Sequence, residues 1–199
     1  MITFKSEQKL FSKNYKLIGA VDEAGRGPLA GPVVAACILI PCSFKITGDW
    51  RKVNDSKKLS PKNREHLFKI ITKNFEYGIG ICDHKTIDKL NIHHASLLAM
   101  KRAIKSLNKK PDILLIDGKF SVRRIGIKQK TVIHGDATLF SIAAASILAK
   151  VTRDKIMKKM HELYPGYNFN QHKGYCTKSH VEKIKELGRC PIHRKSFSF

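Results

Sequence analysis

The sequence predicts an α/β domain, a mixed β-sheet flanked by helices and closed by a C-terminal helical tail. Three observations carry that expectation. Apolar runs of strand length recur at 17–21, 33–40 and 113–116. Segments with apolar residues at helical spacing lie between and after them, at 61–74, 86–107 and from 137 onward. Gly25, Gly27, Pro28, Pro61, Pro111 and Pro165 punctuate the junctions. Two consecutive strands followed by alternating helices and strands imply a mixed sheet.

Residues 1–16 form a polar lead-in with room for a short helix. A strand at 17–22 ends in two adjacent acids, Asp22 and Glu23, before the turn Gly25-Arg26-Gly27-Pro28, and a second strand covers 32–40. Side chains alternate along a strand, so both acids are expected to serve one site only where the strand breaks at the glycines. The next loop ends in Asp55-Ser56-Lys57-Lys58-Leu59-Ser60-Pro61. Ser60 as N-cap and Pro61 at the first helical position predict a helix over 61–74. A third strand follows at 77–82. Ile87, Leu90, His94, Leu97, Leu98, Ile104 and Leu107 then mark an amphipathic helix that Pro111 stops. Strands at 113–116 and 130–134 end at Asp117-Gly118 and Gly135-Asp136. A long helix starts near Ala137, with Phe140, Ala143, Ala144, Ile147 and Val151 as a stripe for close packing on the sheet. The tail holds a turn at Tyr164-Pro165-Gly166 and a helix near 178–187. One domain over 15–199 is expected, with its core at about 17–160 and a loosely attached tail at about 161–199.

A chain of 199 residues, 42% hydrophobic, can bury one sizeable core. Its 38 Lys and Arg against 16 Asp and Glu give a net charge of +22, which points to a polyanionic partner, nucleic acid first. The five cysteines are odd in number and contain no C-x-x-C, which favours a reducing compartment over a disulfide framework. The longest apolar run falls far short of the ~20 residues a membrane helix needs. Lys5, Glu7, Lys9 and Lys13 rule out a secretory signal in the first fifteen residues. A soluble, monomeric, cytoplasmic protein with no membrane partner is expected.

Asp22, Glu23, Asp117 and Asp136 sit where elements begin or end. Such a cluster suits two-metal hydrolysis of a phosphodiester, since hard cations take carboxylate oxygens and two ions about 4 Å apart stabilise attacking and leaving oxygens together. Without metal, crowded carboxylates repel and at least one pKa rises. Ordinary alternatives stand beside this: a charged strand end, a turn at Asp117-Gly118, a helix cap at Asp136. Asp154, 18 residues past Asp136 on the same helix, lies about 27 Å along the axis and cannot share the ion. Cys176-x3-His180 and Cys190-x2-His193 leave a structural zinc site open, against a basic substrate-facing tail. No Ser-His-Asp spacing and no G-x-x-x-x-G-K-[ST] loop is present.

The residues Val21-Asp22-Glu23-Ala24-Gly25-Arg26-Gly27-Pro28-Leu29-Ala30-Gly31-Pro32-Val33-Val34 resemble the signature of bacterial ribonuclease HII, the type 2 ribonuclease H. Further blocks resemble it in the same order: 55–60, 116–118, 135–137, 143–154, Tyr164-Pro165 with Tyr167, His172 to Tyr175, and Ile192-His193-Arg194 with Ser196-Phe197. The resemblance implies an RNase H-like fold with Asp22, Glu23, Asp117 and Asp136 as catalytic, metal-holding carboxylates. It implies Mg2+ or Mn2+, two ions during catalysis, and cleavage of RNA in RNA–DNA hybrids and at single ribonucleotides in duplex DNA, leaving a 3′-hydroxyl and a 5′-phosphate. It also implies that Gly25-Arg26-Gly27 and Tyr175 read the ribose 2′-hydroxyl, the group that separates RNA from DNA.

Arg26, Lys57, Lys58 and Lys173 suit phosphates, which position a strand without reading its sequence. The chain departs from the family pattern at Cys176, where a small turn residue is usual. If that position requires positive φ, a cysteine strains the loop carrying Tyr175. No clamp-binding peptide is evident, and the sequence assigns no replication partner. A DNA-directed nuclease of RNase H-like fold and a non-catalytic basic protein that coats nucleic acid are the competing functions.

Overall fold

The computed structural model describes residues 2–198; Met1 and Phe199, the last residue of the expected domain, lie outside them. Five strands, β1 (Leu17–Ala24), β2 (Val33–Pro41), β3 (Tyr77–Cys82), β4 (Ile113–Asp117) and β5 (Lys128–Val132), form one mixed sheet in the order β3-β2-β1-β4-β5. The β1–β2 and β2–β3 pairs are antiparallel, and β1–β4 and β4–β5 are parallel. The helices are α1 (Lys5–Phe11), α2 (Pro61–Asn74), α3 (His84–Lys105), α4 (Gly135–Thr138), α5 (Phe140–Leu163), α6 (Phe169–His172) and α7 (Lys178–Leu187).

The two-residue period of the central strands divides the core into two layers. Ile18, Ala20, Ala36, Ile38 and Leu115 pack with α5 and with Leu67 and Ile71 of α2. Val21, Ala35, Cys37, Leu114 and Ile116 pack with α3 on the opposite face. A sheet covered on both sides explains why β2 is apolar without alternation. Ser60 caps α2, its hydroxyl accepting from Asn63 N–H at 3.2 Å, and the expected stripe of α5 is buried throughout.

Helix α3 differs from expectation. Asn91, at φ 63°, interrupts it, and the buried face beyond is Ala95, Ser96, Ala99, Met100, Ala103 and Ile104. His94 is exposed and Leu97 and Leu98 are half-buried. The reason is close approach: a Cβ on Gly78 or Gly80 of β3 would collide with the Ala103 or Ala99 carbonyl oxygen, so small residues line the contact. Strand β5 lies two residues earlier than expected, and His134, at φ 55°, lies beyond it in the turn into α4.

The tail is fastened rather than loose. Tyr167, Phe169, Ile184 and Cys190 form a satellite core with Leu29, Ala30 and Met157. The Asp88 carboxylate accepts from the backbone N–H groups of Lys195 and Ser196, each at 2.9 Å. Among the described residues no helix is long and apolar enough to cross a membrane.

Candidate active site

At the carboxyl ends of the parallel neighbours β1 and β4 lies a pocket of about 300 Å³. Asp22, Glu23, Gly25, Arg26, Gly27, Lys57, Asp117, Asp136 and Tyr175 line it, together with Ser56, Ser146 and Lys150. The two adjacent acids are not brought together by a break in the strand. Regular pairing of β1 with β2 continues to Ala24↔Val34, so Asp22 and Glu23 lie inside β1. What stops is the pairing on the other edge, where β1 meets β4 only as far as Val21↔Ile116. Past that point acids on both faces of β1 border the space where Asp117 ends β4.

Burial above all, then the charges of Glu23 and Asp117, push the Asp22 carboxyl well above the ordinary aspartate range. Its Oδ1 accepts the Glu23 N–H at 2.7 Å. Burial also raises Glu23, against the pull of Arg26, whose Nη1 donates to Oε1 at 3.0 Å. The other oxygen, Oε2, is buried without a hydrogen-bond partner. Asp117 is raised by burial and then by the charge of Asp136, although its Oδ1 accepts the Gly135 N–H at 2.7 Å. Asp136 is not a helix cap: it stands in the first turn of α4, its Oδ2 taking Lys57 Nζ at 3.1 Å. Burial opposes the charge of Lys57, yet the bond to Asp136 and its charge hold the ammonium above the usual lysine range.

Among the described residues no three His, Cys, Asp or Glu side chains close into a compact metal-ligand set. Arg26 and Lys57 pair with two of the four acids, Glu23 at 3.0 Å and Asp136 at 3.1 Å. An all-oxygen donor set with one buried, unpartnered carboxylate oxygen fits a hard divalent cation, which takes one or two carboxylates and keeps several waters. Zinc does not suit the tail, where Cys176 is exposed and the Nε2 atoms of His180 and His193 are hydrogen-bonded to each other at 3.1 Å.

The glycine loop is held by two arginines to which the sequence assigns no role of their own. Arg153 and Arg194 are both fully buried. Arg153 donates to the carbonyls of Pro32 (2.9 Å), Lys173 (3.0 Å) and Ala30 (3.1 Å). Arg194 donates to those of Gly31 (3.0 Å), Arg26 (2.8 Å) and Gly25 (2.6 Å). Burial foremost, then Arg153, pushes the Arg194 pKa down to about 9, which leaves it charged at neutral pH. Gly25, at φ 97°, lies against Arg153, and a Cβ there would also stand 2.7 Å from Pro32 O; a Cβ on Gly27 would meet nothing. Both arginines belong to blocks that carry the family resemblance, and that membership is the one sequence signal that marks them.

Tyr175 is 38% exposed, with Lys150 Nζ 5.4 Å and the Arg153 guanidinium carbon 5.5 Å from its ring centroid. Cys176 is not among the residues with positive φ; Lys173 (φ 51°) and Gly174 (φ 82°) make the turn, so the cysteine imposes no such strain. Lys173 lines an adjoining trough of about 530 Å³ with Arg64, Lys150, Asp154, Lys155 and Lys158. Asp154 is held there by Lys150 at 2.7 Å and Arg64 at 3.5 Å, away from the four acids. Lys58 is exposed and lines neither space.

A mixed sheet flanked by helices, with acids at the carboxyl ends of its two central parallel strands, places the chain among proteins of the RNase H-like fold. Residues 18–199 match the family model for ribonuclease HII. A ribonuclease HII of Caldicellulosiruptor saccharolyticus is 49% identical over 195 residues, covering 98% of this chain and 93% of the relative. The crystal structure of ribonuclease H2 from Pyrococcus horikoshii superimposes with a TM-score of 0.73 at 26% identity, covering 92% of this chain and 94% of that one. Bst-RNase HIII, solved in complex with Mn2+, shares the fold at a TM-score of 0.63 and 16% identity, over 87% of this chain and 63% of that one. The chain belongs to the ribonuclease HII family. It is therefore a ribonuclease H, a hydrolase that cuts RNA within RNA–DNA hybrids.

Proposed function

We propose that this enzyme also nicks on the 5′ side of single ribonucleotides embedded in duplex DNA, and that it hydrolyses both substrates with two Mg2+ or Mn2+ ions, leaving a 3′-hydroxyl and a 5′-phosphate. The observation that carries this reading is the pocket itself: three carboxylates that burial and like charge leave reluctant to ionise, one with an unpartnered buried oxygen, beside a rigidly held glycine loop. Asp22, Glu23, Asp117 and Asp136 would hold the metal. Divalent ions bound there supply charge stabilisation to the attacking and leaving oxygens.

The protein's own residues do the rest. Arg26 and Lys57, paired with Glu23 and Asp136 at the pocket, are placed to take up phosphates of the bound strand. The Gly25-Arg26-Gly27 backbone, its carbonyls drawn inward by Arg194, is set in one pose for the ribose 2′-hydroxyl, with Gly27 leaving room for close approach. Tyr175 packs against the neighbouring sugar or base. Lys58 and Lys173 steer the backbone from the rim. We infer a monomer acting in the cytoplasm on hybrid and ribonucleotide-containing duplex, without a membrane.

The deciding experiment incubates the enzyme with a duplex carrying one ribonucleotide, with Mg2+, with Mn2+ or with EDTA, and maps the cut to the nucleotide beside an all-DNA control. Cleavage 5′ to the ribonucleotide, abolished by EDTA, is the expected result. Cutting of the all-DNA duplex would assign a DNA-directed nuclease, and hybrid binding without any cut would assign a coating protein.

A further inference from the structure

The loop that carries Tyr175 rests on three histidines that the proposed chemistry does not use. His172 and His180 stack, with ring centroids 4.3 Å apart, and His180 and His193 meet Nε2 to Nε2 at 3.1 Å. Both His180 and His193 are buried. Their bonding partners dictate which nitrogen carries the proton. His180 Nδ1 lies 2.9 Å from the Tyr175 carbonyl oxygen, an acceptor only, so Nδ1 carries hydrogen and donates. In a neutral ring Nε2 must then accept, and the hydrogen between the two rings belongs to His193 Nε2.

That leaves His193 Nδ1 as an acceptor. It lies 2.9 Å from the Cys190 N–H and 3.2 Å from the Cys190 carbonyl. The first contact is the bond, because a neutral ring protonated on Nε2 has no hydrogen on Nδ1 to offer the carbonyl, which takes the His193 backbone N–H instead, at 3.0 Å. His172 follows the same logic, donating from Nε2 to the Tyr167 carbonyl at 2.8 Å and accepting the Gly174 N–H on Nδ1 at 3.2 Å. Burial, the largest influence on all three, lowers their pKa values and holds His180 down to about 4, in keeping with neutral rings.

We infer that His180 is a positioning residue for ribonucleotide recognition: a one-directional relay, Cys190 N–H to His193 to His180 to the Tyr175 carbonyl, sets Tyr175 over the pocket. This rests on the reading of Tyr175 given above. The loop's other anchors come from the opposite side, where Leu29 N–H donates to the Gly174 carbonyl at 2.8 Å and Arg153 to that of Lys173. Tyr175 is thereby held between the tail and the glycine loop. The Thr177 N–H shares the Tyr175 carbonyl at 2.9 Å, so losing the relay loosens the tyrosine without freeing the whole turn.

Two measurements test this. Nitrogen-15 NMR of the histidines at pH 7 is expected to show His180 neutral and protonated on Nδ1, the less common tautomer in water, with His193 protonated on Nε2. An Nε2-protonated or charged His180 would overturn the relay, whatever Tyr175 does. Kinetics on a duplex with one ribonucleotide supply the second test. His180→Leu is expected to lower kcat/KM about tenfold, the loss of one well-placed hydrogen bond. His180→Asn, whose amide can donate to the same carbonyl, should stay within about threefold of wild type. In a Tyr175→Ala background His180→Leu should add less than about twofold. A His180→Leu enzyme with wild-type activity, or one that loses the full factor again without Tyr175, would refute the positioning role. Wild-type cleavage by Tyr175→Ala would instead refute the assignment of Tyr175, leaving the NMR result to judge the relay. Should His180→Leu fail to fold, the NMR measurement on wild type still decides.

Discussion

Asp22 shows how one side chain can be both needed and unwelcome. Burial and the neighbouring carboxylates raise its pKa, so the folded, metal-free protein keeps this proton to higher pH than the unfolded chain does. The stability linked to that proton is complete below the unfolded aspartate range, near ~3.9, and is lost as pH rises through the folded value. Asparagine removes the charge and can still accept the Glu23 N–H. Asp22→Asn is therefore expected to melt at least about 2 °C above wild type in EDTA at pH 8, the gap closing toward pH 4. Its cleavage should fall at least about a hundredfold while hybrid binding survives, read by gel assay and titration. The two pocket glycines separate in the same way. Gly25→Ala meets Arg153 and Pro32 at positive φ and should cost at least about 2 kcal/mol in denaturant unfolding. Gly27→Ala has open space, so it should fold normally and lose activity on the single-ribonucleotide duplex.

The elements around the site are joined by buried polar groups more than by surface ion pairs. Arg194, from the tail, satisfies carbonyls of the loop between β1 and β2, and Arg153 of α5 does the same from beneath. Arg194→Met would leave the carbonyls of Gly25, Arg26 and Gly31 without these donors in the interior. A loss of about 3 kcal/mol or more is expected by urea denaturation. Arg194→Lys should rescue little of it, because an ammonium cannot spread its donors as a guanidinium fork does. At the other end Glu7 ties α1 to α5, its Oε1 accepting from Ser141 N–H at 2.9 Å and Oγ–H at 2.7 Å. A glutamate in a polar lead-in carries no sequence mark of such burial; only the partner 134 residues away defines it.

For the molecule as a whole the net charge of +22 is the governing quantity. The trough lined by Arg64, Lys150, Lys155, Lys158 and Lys173 meets the acidic pocket at Lys150, so a cationic approach runs into a centre of negative charge. Hybrid affinity measured from low to moderate salt should fall with a log–log slope of about −0.7 to −0.9 per phosphate contacted. Substituting both Lys155 and Lys158 by Ala should make that slope shallower by up to about two such contacts while kcat at saturating substrate holds. An unchanged slope would remove the trough from the path of the backbone.

From the sequence alone came the α/β plan of a mixed sheet flanked by helices, the bounds of α2, β3 and α7, and the four acids that line the pocket, because each is written in local period, in capping chemistry or in a short motif. Tertiary structure alone decided how Asp22 and Glu23 share a pocket: β1 outruns its pairing with β4 while staying paired to β2, a difference between two edges that no local pattern records. It alone turned Arg153 and Arg194 inward and set the proton order of the three histidines. A buried polar group is defined by partners far along the chain, and those partners become neighbours only when the chain has closed.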